Sequence, residues 1–328
     1  MPIDEPDFDP LEDDEPRAPL APPSEVIAEI AADSGDVSSE RLRALSEPDN
    51  STLAAFIGLW PQLPPQRRRD VLAWLERLGE DDVTLDFHRI HLTALRDEDP
   101  ATRILAVRGL WEEDKVEYMP LLITQVRDDT EATVRAAVTD ALGRWVIAGE
   151  FGVLSDDDVD VLTSALREAI EDAREEDEVS ARALEALGAN SHESTAEAIG
   201  EAYEAGNQRM RLASLRAMGR NAADDWLPVL LYNFDDEDMD IRIAAARASG
   251  ELLMEAAIDP LTELLEDDSE EVQLAAIGAL GEIAGDDAER VLTAILGRPE
   301  AHLVEAASAA LNGVRMLSIE FDDPGDEG

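Results

Sequence analysis

A stretch that occurs three times in succession decides the fold. Residues 207–219 read NQRMRLASLRAMG, residues 238–250 read DMDIRIAAARASG, and residues 269–281 read SEEVQLAAIGALG. Each copy begins 31 residues after the one before it. A fixed period of this length indicates a solenoid, in which each repeat is one supersecondary unit and stacked neighbours bury a continuous core.

The aligned columns predict how each copy folds. The first column holds good helix N-caps, the fourth holds apolar residues, and the seventh holds alanine. Glycine closes each copy, and Gly188 and Asn312 extend that column by one repeat in each direction. Glycine or asparagine suits the left-handed position that ends a helix, so each copy is predicted to be one helix. The N-cap column is Asn207, Asp238 and Ser269, and the apolar column is Met210, Ile241 and Val272.

A second helix is predicted after each of these stops. Apolar segments follow at residues 226–232, 258–265 and 291–296, and Pro228 and Pro260 lie near the starts of the first two. Proline costs little there, because the first N–H groups of a helix have no intrahelical partner. The repeat is therefore helix, turn, helix. Upstream copies lie at residues 99–111 and 128–143, and the spacing from Gly143 to Gly188 exceeds one period by 14 residues.

These patterns predict an all-α fold, an alpha-alpha superhelix of about seven helix pairs. The predicted order is an acidic, proline-rich disordered tail at 1–36, N-terminal capping helices at 37–63, the solenoid at 64–317, and a short acidic tail at 318–328. Within the first tail, residues 24–32 could form one short helix.

Acidic residues outnumber basic residues by 76 to 27, which gives a formal net charge of −49, and cysteine is absent. The lack of cysteine excludes disulfides, thiolate metal sites and cysteine nucleophiles. A negative field repels phosphate backbones and anionic lipid, so no nucleic acid and no membrane is expected as a partner, and a basic protein is favoured. A functional acidic surface and adaptation to a high-salt cytoplasm explain the charge equally well. No apolar run approaches the ~20 residues that span a bilayer, so the expected location is cytoplasmic.

One upstream copy resembles a known family. Residues 128–143 read DDTEATVRAAVTDALG, which resembles the HEAT-like repeat of the phycobilisome-lyase type. The first helix of that repeat reads roughly D-P-x-V-R-x-x-A-x-x-A-L-G. The motif arginine corresponds to Arg135, Arg211 and Arg242, which we expect to bond carbonyls or carboxylates of the preceding repeat. The resemblance covers about residues 64–314 and implies a HEAT/armadillo-type solenoid. It says less about function, because the family includes scaffolds, bilin lyases and deoxyhypusine hydroxylase.

The sequence offers few candidate ligands for a metal site. The hydroxylase presents several His-Glu pairs to two irons, whereas this chain has one such pair, His192-Glu193, among four histidines. His88 and His91 share a helical face and, with Asp86, could bind a divalent ion weakly. A metal site needs more converging ligands and a second shell. We therefore expect no catalytic residue, no cofactor and no metal, and a protein that is not an enzyme.

The expected function is that of an intracellular scaffold or adaptor that binds a protein partner along the concave face of the solenoid. Second helices usually line that face, which makes Tyr118, Trp226 and Tyr232 candidate anchors. Alternatively, these aromatic residues fill gaps in the core. The alternative function is an enzyme or enzyme accessory, either a diverged oxygenase-like relative of deoxyhypusine hydroxylase or a bilin-lyase-like chaperone.

Arg67, Arg68 and Arg69 form a basic cluster in the first turn of a predicted helix, where the helix dipole disfavours cations. Two explanations are open. The acidic tail folds back onto the cluster, as a latch or in place of an acidic partner segment, or nearby helices supply the carboxylates. The first explanation makes these three arginines candidate partner-binding residues.

The net charge leads to a test of stability. Mutual repulsion among the −49 charges should destabilise the fold at low ionic strength. The Debye length falls from ~30 Å at 0.01 M salt to ~3 Å at 1 M, so added potassium chloride should raise the melting temperature measured by circular dichroism. A flat or falling melting temperature over that range would contradict a fold limited by repulsion.

Overall fold

The computed structural model describes residues 21–32, 35, 37–110, 115–172 and 174–321, with side chains described up to Val314. Within these ranges every regular element is a helix, with eighteen α-helices and seven short 3-10 segments. The predicted all-α fold is confirmed. None of the helices in the described ranges is both long and apolar enough to cross a bilayer. The chain forms two compact units, Met1–Glu112 and Glu113–Gly328.

Unit 1 contains six of the helices. They are α1 (Pro23–Ala32), α2 (Ser39–Leu42), α3 (Asn50–Leu59), α4 (Pro65–Asp81), α5 (His88–Ala94) and α6 (Pro100–Arg108). Helix α6 packs against both α4 and α5, and α1 packs against α3. The helix α1 lies inside the segment predicted to be a disordered tail. It coincides with the short helix expected at residues 24–32, and its residues Val26 and Ile30, four apart on one face, are fully buried. Residues 1–20 lie outside the described ranges.

Unit 2 contains the other twelve helices, which alternate between two kinds. Those that carry the repeated sequence, here the motif helices, are α8 (Ala132–Glu150), α10 (Asp177–Leu187), α12 (Gln208–Asn221), α14 (Met239–Glu251), α16 (Glu270–Ile283) and α18 (Ala301–Phe321). Those between them, here the connecting helices, are α7 (Met119–Asp128), α9 (Asp156–Glu171), α11 (Glu193–Ala205), α13 (Leu227–Tyr232), α15 (Ile258–Glu263) and α17 (Gly285–Ile295). The long α8 and α9 hold the additional residues of the irregular repeat, and α18 reaches into the predicted C-terminal tail.

The predicted N-caps are confirmed. The side chains of Asn207, Asp238 and Ser269 each accept a hydrogen bond from a backbone N–H in the first turn of their own helix. The predicted role of the closing glycine is wrong. Gly219 and Gly250 have no left-handed backbone and lie inside their helices, and left-handed φ values occur three residues later, at Ala222, Leu253 and Ala284.

The glycine column has a different cause, which is close helix packing. A methyl group on Gly219 would lie 2.8 Å from the Cα of Ala248, and one on Gly250 would lie 2.7 Å from the Cα of Ala279. Both distances are shorter than any side-chain carbon tolerates against backbone, so only glycine fits. A methyl group on Gly188 would lie 2.8 Å from the Cα of Ala217, and one on Gly281 would lie 2.9 Å from the Cβ of Ala310. From α10 to α18, each motif helix therefore contacts the next through a close glycine–alanine pair, whereas between α8 and α10 the pair Gly143 and Ala186 is at ordinary contact distance.

This packing predicts opposite effects for two glycine substitutions. Gly250→Ala should destabilise unit 2 by ~1–3 kcal/mol, because overpacking forces backbone shifts. Gly278→Ala, on the exposed side of α16, meets nothing within 4 Å and should stabilise by up to ~1 kcal/mol, because alanine favours a helix over glycine. Thermal and chemical denaturation followed by circular dichroism would measure both. Equal stabilisation by the two variants would show that the motif helices can separate without cost.

Candidate functional site

The motif helices form the more tightly spaced layer of unit 2. Each packs closely along the next motif helix, whereas α9, α11 and α13 barely contact the next connecting helix. In a curved stack of helix pairs the layer with closer spacing lies on the inner side. This packing argues against the expectation that the second helices, which are the connecting helices, line the inner face. The exposed residues of the motif helices lie there instead.

Two neighbouring grooves lie on this layer, one between α10 and α12 and one between α12 and α14. Each has a volume of about 390 Å³, and Arg216 borders both. Ala181, Leu212 and Ile243 line them with partly or fully buried apolar side chains. We call the two together the arginine groove, because five arginines line it: Arg182, Arg209, Arg216, Arg220 and Arg247.

A buried glutamate on α10 holds three of these arginines. Glu185 is 4% exposed, and its carboxylate lies 2.8 Å from Nη1 of Arg216 and 3.4 Å from Nη1 of Arg182. Its backbone carbonyl accepts a hydrogen bond of 2.9 Å from Nη1 of Arg220. Three cations thus converge on one glutamate. Glu178, which pairs with Arg182 and Arg209, balances part of this excess positive charge.

Arg247 differs from the others because it is exposed on α14 and, within the described ranges, holds no carboxylate directly, while its charge acts on the Glu282 carboxyl. Among the residues that the structure describes, its guanidinium makes no hydrogen bond and no ion pair. It stands 31 residues after Arg216, in the same column of the repeat and on the next motif helix. The sequence does show two arginines in one column of the repeat. Without the packing, however, nothing distinguishes that column from the other polar columns.

Two glutamate carboxylates lie near the groove, each packed against a glycine of the closing column. A methyl group on Gly219 would be 2.5 Å from Oε2 of Glu251, and one on Gly250 would be 2.5 Å from Oε2 of Glu282. Burial of the carboxyl raises the pKa of Glu251. The charge of Arg220 opposes that rise and the charge of Glu282 adds to it. Burial also raises the pKa of Glu282, against the lowering effect of Arg247.

The motif arginines act inside the fold. Arg242 donates to the Asp267 carboxylate at 2.8 and 2.9 Å and to the Asp236 carbonyl at 2.8 Å. Arg211 similarly pairs with Asp236 at 2.7 Å. Each carboxylate lies in the turn that leads into the next motif helix, so these arginines tie a repeat to the following one. The expected bond to a carbonyl before the arginine's own repeat is present in Arg242, whereas the carboxylate partners lie ahead, before the following motif helix.

The arginine cluster of unit 1 is likewise internal. Arg67 and Arg68 are 5% and 4% exposed, and each has its own partner. Arg67 donates to the carbonyls of Ile30 and Gly35 at 3.2 and 2.6 Å, and Arg68 lies 2.7 Å from the Asp97 carboxylate. Arg69 pairs with Asp99 at 3.0 Å. Arg68 and Arg69 thus follow the second explanation, in which nearby helices supply the carboxylates. Arg67 is held by backbone carbonyls of the segment predicted to be a tail and not by its carboxylates. These contacts leave Arg67 and Arg68 little surface for a partner.

The three candidate aromatic anchors differ in accessibility. Tyr232 ends α13 and is 78% exposed. Trp226 is half-buried against the core, and its Nε1 donates to Asn221 at 2.9 Å. Tyr118 is half-buried before α7, with the Lys115 ammonium 5.7 Å from its ring centre. Of the three, Tyr232 is the side chain best placed to reach a partner.

The histidines do not converge. His192 is the N-cap of α11, and its ring accepts a hydrogen bond from the Ser194 N–H. His88 lies 2.8 Å from Asp86, while His91 is buried and burial lowers its pKa to about 3, so its ring is neutral. Throughout the described ranges, no group of three or more histidine or acidic side chains has an arrangement that could hold a metal ion.

The carboxylates of the groove predict a pH-dependent effect on stability. Since the folded-state pKa of Glu251 lies above the unfolded value, its ionised form opposes folding at neutral pH, and this cost is absent below the unfolded pKa. Glu251→Gln should therefore raise the melting temperature at pH 7, and the gain should vanish as the pH falls to about 4.

Glu271→Gln provides the matched control for that measurement. Hydrogen bonds from its own backbone N–H and from Ser269 lower the pKa of Glu271, so the ionised form favours folding. Its substitution should lower the melting temperature at pH 7. If both variants shift the melting temperature in the same direction, the groove does not desolvate Glu251.

Comparison with known proteins agrees with this architecture. A family model described as HEAT repeats matches residues 91–176 and 227–312, together just over half of the chain. None of the curated protein sequences gives a significant match. Yeast importin-β (Kap95p) aligns at 13% identity and a TM-score of 0.53, over 88% of this chain and 46% of its own.

Two further structures bear on the resemblance seen in the sequence. The CpcE–CpcF complex of phycocyanin lyase from Nostoc sp. PCC7120 aligns at 17% identity and a TM-score of 0.51, over 84% of this chain and 96% of that chain. Human deoxyhypusine hydroxylase aligns at 17% identity over 90% and 97% of the two chains, but its TM-score of 0.32 is too low for a structural argument. At these identities the similarities show the fold alone. With the family model covering both halves of the solenoid, the chain belongs to the HEAT repeat family.

Proposed function

We propose that the chain is a cytoplasmic scaffold that holds a protein partner along the motif helices of unit 2. HEAT repeat solenoids commonly bind proteins, because stacked repeats create an extended surface rather than a closed pocket. The similarity to importin-β and to the lyase complex supports the fold of such a scaffold and does not identify the partner.

The observation that carries the proposal is the arginine groove. It combines apolar side chains with exposed arginines, and arginine is enriched among the residues that dominate binding energy at protein interfaces. In a chain with 27 basic residues against 76 acidic ones, this groove is unusual because its five arginines equal its five acidic residues in number. Most other arginines with assigned contacts hold the fold together, as Arg68 and Arg242 do.

We also propose that the protein acts by binding and not by catalysis. Four histidines and no cysteine leave few groups for nucleophilic or metal chemistry. The candidate enzyme-accessory function has no specific support in the groove, whose charged residues are arginines and carboxylates.

Capture of a partner followed by affinity measurement tests the proposal. Tagged wild-type protein would be used to isolate a partner from the native cells, and the purified partner would then be titrated against two variants. Arg216→Ala/Arg247→Ala should weaken binding ~30-fold or more, as expected when an interface anchor worth ~2 kcal/mol is lost. Tyr232→Ala, on a connecting helix, should bind like the wild type.

The control variant makes the result decisive for the binding face. Loss of affinity with Tyr232→Ala but not with the arginine variant would move the interface to the connecting helices. If wild-type protein captures nothing that is reproducible and saturable, the scaffold proposal itself fails. Circular dichroism of both variants would confirm that the helices are intact.

A further inference from the structure

We propose that the arginine groove binds a partner segment that combines acidic and apolar side chains, with carboxylates that neutralise the arginines around Glu185 and Arg247. This inference rests on the proposed function and specifies the chemistry of the partner. It differs from the expectation drawn from net charge, which favours a basic partner over the molecule as a whole.

Positive charge is in excess around Glu185. One buried carboxylate faces Arg182 and Arg216, while Arg220 is held by the backbone carbonyl of the same residue. A guanidinium has five N–H donors, and these contacts use a minority of them. The side chains of Arg182 and Arg216 remain 39% and 49% exposed, so donors are available to an incoming anion. Because Glu185 already fixes the side chains, less conformational entropy is lost when the anion binds.

An exposed arginine lies on the neighbouring helix, where it acts on Glu282 by charge but has no hydrogen bond or ion pair among the described residues. Arg247 occupies the same column as Arg216 one repeat later, so the two guanidinium groups project from adjacent motif helices. Packed helices lie ~8–10 Å apart. Seven residues of an α-helix span ~10.5 Å, so carboxylates at positions i and i+7 of a bound helix match this separation. Bidentate pairing between arginine and carboxylate would add geometric selectivity.

Apolar side chains line the groove between the cations. Leu212 and Ile243 are partly buried, pack on the core and stand in one column, and the fully buried Ala181 precedes them. Exposed ion pairs contribute little individually, so apolar contact must supply most of the affinity while the arginines select the charge. The acidic residues Asp240 and Glu271 also line the groove, and they would repel a carboxylate placed out of register.

Three synthetic peptides of about 20 residues would test the inference. The first is an amphipathic helix with leucine on one face and glutamate pairs spaced by seven residues, and the others carry glutamine or lysine in place of glutamate. Fluorescence anisotropy with full-length protein at about 0.2 M potassium chloride limits the long-range repulsion from the net charge. We expect the glutamate peptide to bind at least tenfold more tightly than the glutamine peptide.

Two protein variants assign that preference to the groove. Arg216→Ala/Arg247→Ala should abolish the tenfold preference for glutamate over glutamine. Arg174→Ala/Arg290→Ala, which removes two arginines with side chains 90% and 74% exposed elsewhere in unit 2, should retain it. Circular dichroism of each variant distinguishes loss of binding from loss of fold.

Several outcomes would overturn the inference. Equal binding of the glutamate and glutamine peptides, an equal loss in both protein variants, or lysine-peptide binding that depends on Arg216 and Arg247 would each exclude an acidic segment in the groove. If the captured native partner still needs Arg216 and Arg247, the scaffold proposal stands and only the acidic chemistry is wrong. If neither the peptides nor the native partner depends on them, both proposals fail.

Discussion

The close contact between glycine on one motif helix and alanine on the next is the constraint on which unit 2 depends. Gly219 against Ala248 and Gly250 against Ala279 leave no space for a methyl group, so the motif helices pack with their backbones nearly in contact. This close spacing repeats from α10 to α18 and fixes which exposed side chains of adjacent motif helices lie next to one another. Arg216 and Arg247 therefore line the same groove from adjacent helices. The Glu251 carboxylate packs against Gly219.

The arginines of this acidic chain have two kinds of position. One kind lies inside the fold, where Arg68, Arg211 and Arg242 each bind a carboxylate in the turn before the second helix that follows their own. These pairs are partly or fully shielded from water, so they are screened less by salt than surface pairs are. The other kind lines the arginine groove, where the cations are exposed. A strongly negative protein gains solubility from its carboxylates, and exposed arginines concentrated on adjacent helices suit recognition better than solubility.

Much of the fold could be predicted from the sequence, because the 31-residue period carries caps, core and small residues together. The N-caps Asn207 and Ser269 show this directly. The meaning of the glycine column could not be predicted, since a glycine that ends a helix and a glycine that touches a neighbouring helix look alike in one sequence. The roles of Arg67 and Arg68 also depended on contacts about 30 residues or more away, with Ile30 and Asp97. The candidate site could not be predicted either, because it combines exposed residues of three helices whose packing only the structure shows.

The central claim is that a protein partner lies on the motif helices, over the arginine groove. Arginine-specific labelling with phenylglyoxal, read residue by residue by mass spectrometry with and without the captured partner, tests this claim directly. We predict that the partner protects Arg216, Arg220 and Arg247 from modification, while Arg174 and Arg290 react as they do in the free protein. Unchanged labelling of the three groove arginines in the saturated complex would contradict it.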